Sequence, residues 1–357
     1  MTKLSDSELL ASLVEIPSPS GFEKDIAEFI YAYVSQFVSS DMIEIDSQFN
    51  VIVTFDNKSD KTVVIDAHSD EIGFMVNNVD RLGSISLEYI GGGDTTIISA
   101  RNLKILTDNG IVNAVVDRKH SHLVANEDDV NIYHPSDADV DVGLRDRKKI
   151  LKMIQIGDPV VYESCFRPLT KDFYSGGAFD DKAGCFMLMR VIEQLVSNKK
   201  NIDTNVVFVF SAQEETGTSK LLPIVRRIKP NLVIEVDVTF ATDYGSEDDL
   251  EKEAGRCELG KGVSLYRGTD IDRKCWKLIT EVANNNKIPY QVQACSGAIG
   301  YTSLSMTGEG KGVKALVLGI PLRSMHSPTE IINMKDLTSG AKLLTKFLEK
   351  KNLNDAL

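Results

Sequence analysis

His68, Asp70, Glu214, Glu215, Asp237 and His326 share one placement: each lies at or just beyond the end of a short apolar run. Thr62-Val63-Val64-Ile65-Asp66-Ala67 leads into His68 and Asp70, and Val206-Val207-Phe208-Val209-Phe210-Ser211-Ala212-Gln213 into Glu214 and Glu215. Leu232-Val233-Ile234-Glu235-Val236 leads into Asp237, and Ala315-Leu316-Val317-Leu318-Gly319-Ile320 is followed closely by His326. In open α/β sheets, chemistry collects in the crevice at the carboxyl ends of the strands. Four such ends carrying only imidazoles and carboxylates describe a metal site. Singly, none would: a lone His-x-Asp is as readily a structural hydrogen bond, and a Glu-Glu pair is more often a solvated turn.

Spacing adds expectations. His68 and Asp70 share a strand face, so the Asp70 carboxylate is placed to receive the second imidazole N–H, as in many oriented metal-binding histidines. Glu214 and Glu215 repel unless cations or protons compensate; on an irregular strand end, one can bind metal while the other faces the reacting water. Gly176-Gly177-Ala178-Phe179-Asp180-Asp181-Lys182-Ala183-Gly184 puts two aspartates at a helix start. Helix capping explains one of them, and a carboxylate with two oxygens can bridge two cations. Glu235 is a rival to Asp237, one pleat away.

The elements that must position these groups alternate. A capping box at Ser5-Asp6-Ser7-Glu8 opens a helix with Leu9, Leu10 and Leu13 on its apolar stripe. A second helix from about Phe22 precedes strands near Ile43–Ile45 and Asn50–Phe55. Further helices are expected at Cys185–Val196, Lys220–Ile228, Asp270–Asn285 and Met334–Glu349, with buried strands at Val206–Ala212, Leu232–Val236 and Ala315–Ile320. Strands without alternation are covered on both faces, which predicts an α/β fold with a mostly parallel, helix-covered sheet. From Phe74 to about Glu163 the texture changes to short alternating strands (Ile85–Ile90, Leu103–Leu106, Ile111–Val116) with turns at Gly91-Gly92-Gly93-Asp94 and Asp108-Asn109-Gly110. The expected organisation is a discontinuous domain, 1–71 and 165–357, interrupted by a small β domain, 72–164. His120, His122 and His134 fall in that insertion, and the acidic stretch Asn126–Asp141 reads as a solvated loop.

Composition sets outer bounds. The 357 residues carry a formal charge of −12, which excludes a phosphate-binding nucleic-acid protein. No apolar run approaches the roughly 20 residues of a membrane span, so no membrane partner is expected. The first residues lack a secretory pattern, and five dispersed cysteines without a CxxC pair read as free thiols. The expected compartment is the cytoplasm.

Five motifs in order then resemble one family: Asp66-Ala67-His68-Ser69-Asp70-Glu71-Ile72-Gly73, Asp180-Asp181-Lys182-Ala183-Gly184, Gln213-Glu214-Glu215-Thr216-Gly217, Asp237-Val238-Thr239-Phe240-Ala241 and His326-Ser327-Pro328-Thr329-Glu330. It is the family of dinuclear metallo-aminopeptidases that includes glutamyl aminopeptidase and the tetrahedral (TET) aminopeptidases, some labelled endoglucanases. With Ile16-Pro17-Ser18-Pro19-Ser20-Gly21 and Leu259-Gly260-Lys261-Gly262, the resemblance covers nearly the whole chain. It implies a sheet of the zinc-exopeptidase type and an inserted β-barrel or PDZ-like domain that serves subunit assembly, typically as a dodecamer built from dimers. It implies two divalent metal ions per subunit, zinc or cobalt, bridged by Asp180. His68 and Asp237 would complete one site, Glu215 and His326 the other. Asp70 would support His68, and Glu214 would be the general base acting on a water shared between the metals, releasing amino-terminal residues from peptides with a free amino terminus.

Lys182 stands where relatives usually have Arg, Ser69 where they have Met, and Ala294-Cys295-Ser296-Gly297 where they carry Thr-Asp-Ala-Gly. These departures bear on side-chain preference rather than on hydrolysis. The same metal core would also serve an amidohydrolase or deacylase acting on a small metabolite, or a non-catalytic assembly protein. A glycosidase with paired carboxylates needs no strand-end histidines and favours aromatic platforms, against a single tryptophan, Trp276.

Overall fold

A computed structural model describes residues 4–118, 122, 134–198, 202–217, 219–245, 247–296, 310, 312–351 and 353–357. His120, residues 126–133 of the acidic stretch, and Gly297 lie outside the described residues. The chain lays down β1 (Ile43–Ile45), β2 (Val51–Phe55) and β3 (Thr62–His68). It then forms β4 (Gly73–Val79), β5 (Ile85–Ile90), β6 (Asn102–Thr107), β7 (Gly110–Val116), β8 (Val140–Asp141) and β9 (Pro159–Tyr162). After β10 (Arg167–Pro168) and β11 (Phe173–Gly176) comes the long helix Phe179–Asn198. β12 (Asn205–Ser211), β13 (Leu232–Phe240), β14 (Val263–Gly268), β15 (Tyr290–Cys295), β16 (Lys314–Leu322) and β17 (Glu330–Asn333) follow, with helices between several of them.

Eight strands form one sheet in the order β1-β2-β12-β3-β13-β16-β14-β15. The middle four, β12-β3-β13-β16, are mutually parallel. Their apolar runs do not alternate because both faces are covered: Val63 and Ile65 of β3 join the core beneath helix Phe179–Asn198, whereas Val64 joins a second cluster with Leu221, Ile224 and Val225. The sheet as a whole is mixed, since β1–β2, β2–β12 and β14–β16 are antiparallel. β2 sits beside β12 rather than beside its sequence neighbour β3, a long-range pairing that local pattern does not encode.

Within this sheet, β14 and β15 had no counterpart among the expected elements. β15 is the sheet edge and reads as half-polar Tyr290-Gln291-Val292-Gln293. β13 is longer than its apolar run, pairing with β16 through Phe240↔Leu322, so Asp237 lies inside the strand and not beyond its end. The capping box at Ser5 and Glu8 is formed.

β4 to β9 close into a six-stranded barrel, order β4-β5-β8-β7-β6-β9. It has a separate core that includes Phe74, Val76, Leu87, Ile105 and Val160. No helix of the described residues is long and apolar enough to cross a membrane.

Candidate active site

The parallel sheet brings three chain segments together. β3 pairs with β12 so that His68 is opposite Ser211, and with β13 so that Asp66 is opposite Glu235. The ends of β3 and β12 therefore present His68 and the turn Gln213–Glu215 beside Asp237, which β13 carries past the last residue it pairs with β3. His68 Nε2 is 3.0 Å from Asp180 Oδ1 and 3.8 Å from Asp237 Oδ1. Glu235 is instead opposite Asp66, two residues before Asp237 along β13.

The second nitrogen of His68 faces Asp70 in two ways. Nδ1 lies 3.1 Å from the Asp70 backbone carbonyl and 3.5 Å from its Oδ1. The Asp70 carboxylate holds the next turn as well: Oδ1 accepts the Glu214 N–H and Oδ2 the Glu215 N–H, each at 3.1 Å, and Ser20 Oγ donates to Oδ2 at 2.5 Å. Glu23 Oε1 accepts the Gln213 N–H at 3.1 Å. Two carboxylates thus fix three successive backbone N–H groups, which sets the turn that aims Glu214 and Glu215. The Glu215 side chain is only 7% exposed, and Glu214 is half-buried.

The aspartate pair divides its labour. Asp181 Oδ1 accepts the Gly184 N–H at 2.9 Å and so caps the helix. A Cβ at position 184 would fall 2.3 Å from Asp181 Oδ2, so only glycine admits this carboxyl. Asp180 turns its two oxygens to different imidazoles, Oδ1 to His68 and Oδ2 to His326 Nε2 at 3.3 Å. His326 Nε2 is also 3.3 Å from Glu215 Oε2. The barrel supplies one wall: Gly91, at φ +78°, leaves no room for a Cβ between Ile72 and the Glu215 carbonyl, and Gly92 faces the His326 ring.

Glu330 is the residue that motif reading quoted without assigning a task. It is 1% exposed. Oε1 accepts the His326 N–H at 2.9 Å, and Oε2 accepts the Phe179 N–H at 2.7 Å and the Asp180 N–H at 3.4 Å. One carboxylate thereby ties the backbone of Asp180 to that of His326, which itself sits at φ +59°. Burial and the Asp180 charge raise its proton affinity, while the three backbone N–H groups oppose this. Glu330→Gln turns an amide donor toward one of those N–H groups, an unsatisfied contact costing about 1–3 kcal/mol. A lower Tm, by roughly 1–2 °C per kcal/mol, and reduced metal retention on dialysis are expected; unchanged values in both would remove Glu330 from this role.

With protein charges alone the cluster is unbalanced. Burial opposes ionisation of Asp180, yet His326 and His68 hold it well below the usual carboxylate range. Burial and the Asp180 charge push Glu215 up to about 7 and raise Asp237 well above its ordinary value. Burial opposes protonation of His326, but Asp180 and Glu215 carry it up to about 10. Two imidazoles thus face more carboxylates than they can neutralise. Glu215 Oε1 and Asp181 Oδ2 are buried without a hydrogen-bond partner among the described residues. His68, Asp180 and Glu215, and likewise His68, Asp181 and Asp237, present ligand atoms within 4.8 Å of one another. Oxygen and imidazole donors, orphaned buried oxygens and excess negative charge fit divalent cations.

Site and fold define a metal-dependent hydrolase at the carboxyl edge of an α/β sheet. The sequence pattern of the M42 glutamyl aminopeptidase family matches residues 50–343, and the chain belongs to that family. It is a metal-dependent aminopeptidase. The lysyl aminopeptidase of Pyrococcus furiosus is 29% identical over 350 residues, covering 96% of this chain and 97% of that protein. A TET aminopeptidase from a marine sediment archaeon, Thaumarchaeota archaeon, superimposes with a TM-score of 0.91 at 22% identity, covering 98% of each chain. The Pyrococcus horikoshii TET1 peptidase does so with a TM-score of 0.82 at 24% identity, covering 96% of this chain and 99% of that one.

Proposed function

We propose that the enzyme removes amino-terminal residues from peptides at a centre of two divalent cations, zinc or cobalt. The observation that carries this reading is the Asp180 carboxylate, whose oxygens face His68 on one side and His326 on the other. His68 and Asp237 would hold one ion with Asp180, and Glu215 and His326 the other. Such a pair of ions acidifies a water molecule and polarises the substrate carbonyl.

The protein's own groups carry the rest. Glu214 accepts a proton from the attacking water on its carboxylate and returns it to the leaving amine nitrogen. Asp70 fixes the two backbone N–H groups that aim Glu214 and Glu215, and its carbonyl orients the His68 ring. Glu71, Tyr162, Ser164 and Ser327 line the small pocket that opens onto Asp180, Glu215 and His326, and there the free amino terminus of the substrate would enter.

Residues 1–71 and 165–357 form the catalytic domain in this reading, with a sheet of the zinc-exopeptidase type. Residues 72–164 form an assembly domain of β-barrel or PDZ-like kind. The Pyrococcus horikoshii TET1 peptidase assembles into a tetrahedron or a large octahedral shell, which supports a homo-oligomer here, a dodecamer in our reading. Five free cysteines support a reducing compartment, the cytoplasm.

Assaying a panel of aminoacyl anilides and unblocked tri- and tetrapeptides with zinc, with cobalt and after chelation tests the whole reading. Turnover should disappear on chelation and return with either ion. Cleavage of single aminoacyl amides but of no tripeptide would favour the deacylase alternative and overturn ours.

A further inference from the structure

Beside the metal pocket lies a second, open-mouthed cavity of about 320 Å³ between the barrel and the main domain. The two spaces adjoin, since Tyr162 and Pro328 line both. Its volume is at the lower end of ligand pockets, roughly 300–1,000 Å³. Arg101 comes from the barrel side and Arg167 from β10, where register fixes it opposite Ser175, another wall residue.

What sets the two guanidinium groups apart is their shared place in one concavity. Arg190, Arg227, Arg256 and Arg323 each pair with a carboxylate. Arg101 spends only its Nε, on the Ile97 carbonyl at 3.0 Å, and neither Arg101 nor Arg167 forms an ion pair with a described residue. Both are exposed. The one carboxylate in the wall, Glu163, accepts from Asn102 Nδ2 at 2.7 Å and offsets one of the two positive charges. In a chain of net charge −12, a concavity whose wall is left net positive selects anions, and guanidinium matches carboxylate in shape.

We propose that this cavity receives the part of the peptide beyond the scissile bond and that Arg101 and Arg167 bind a carboxylate carried there. The inference rests on the peptidase reading above. An extended peptide advances about 3.3–3.6 Å per residue, so with its amino end in the metal pocket it leaves past Tyr162 and Pro328 into the adjoining space. The carboxylate is either the carboxyl terminus of a short peptide or an acidic side chain of a longer one.

Peptides of two to five residues, each as free acid and as carboxyl-terminal amide, separate these sources when joined by a Glu-versus-Gln series at the second and third residues. The full-length metal-loaded enzyme should favour the carboxylate at one length or position by about tenfold in kcat/KM, mainly through KM. Arg101→Ala with Arg167→Ala should bring that ratio toward one. An acid-to-amide and Glu-to-Gln ratio near one in the parent enzyme, or a ratio kept by the double variant, overturns the proposal. So does a loss in the double variant that falls equally on an aminoacyl anilide, which has no carboxylate to bind. Failure of the parent enzyme to cut any tripeptide, by contrast, refutes the peptidase reading itself.

Discussion

Glu214→Gln is expected to lower kcat by roughly 10²–10⁴-fold, the usual contribution of a positioned general base, while metal content and Tm stay at parental values. The amide keeps the size of the carboxylate but has no site for the water proton. The backbone explains why the lesion should stay local. The Glu214 N–H is held by Asp70 Oδ1 and the neighbouring Glu215 N–H by Asp70 Oδ2, so the turn is fixed by Asp70 and not by the side chain being changed. The expected signature is a loss in kcat with little change in KM, because proton transfer matters in the transition state and not in the ground state. Elemental analysis of the purified variant beside its steady-state kinetics gives the decision. A variant that turned over at the parental rate would remove Glu214 from the chemistry, and one that lost its metal would make it a ligand instead.

The divisions of labour within the site mark what a linear sequence can and cannot say. His68, Glu214, Glu215 and Asp237 were legible because each follows residues that could only be a buried parallel strand, and strand ends in such sheets converge. Asp180 could not be told from Asp181 by type or spacing. They separate in space because Asp181 turns back to its own helix, at Gly184, while Asp180 faces two imidazoles. Glu330 and Glu23 fall within or beside recognised motifs, yet nothing local to them signalled a task. Glu330 is bound to a backbone N–H 151 residues away and Glu23 to one 190 residues away, contacts that exist only once the sheet has closed.

The same limit governs the fold. The four central strands announce themselves by continuous burial, whereas β15 is the half-polar sheet edge and β14 mixes Ser264 and Arg267 into its run. Antiparallel pairing of β2 with β12 joins residues about 150 positions apart, and no local pattern in β2 names that neighbour. The Asp70 contact shows the limit at the scale of one side chain. Period-2 geometry placed its carboxylate within 3.5 Å of His68, but three competing donors decide where its charge is spent.

Asp180→Asn should have the widest effect on metal binding of any single substitution in the site. The side chain keeps its shape, loses its charge and replaces one acceptor oxygen with an NH₂ group, which cannot coordinate a cation. Because one oxygen faces His68 and the other His326, the change would reach both halves of the proposed two-ion centre. Asp237→Asn and His326→Ala each touch one half only, since Asp237 lies toward His68, and His326 reaches Glu215 and the second Asp180 oxygen. Partners outside the direct ligands already cost 10–100-fold in metal affinity when removed, so a bridging ligand should cost more than about 100-fold. The prediction is therefore a pattern in stoichiometry. After dialysis against buffer, the Asp237 and His326 variants should each retain close to one equivalent of zinc per chain, and the Asp180 variant close to none. Retention of two equivalents by Asp180→Asn would sink the bridging assignment. Loss of both ions from Asp237→Asn would instead mean that the two positions fill only together, with Asp180 no more central than its neighbours.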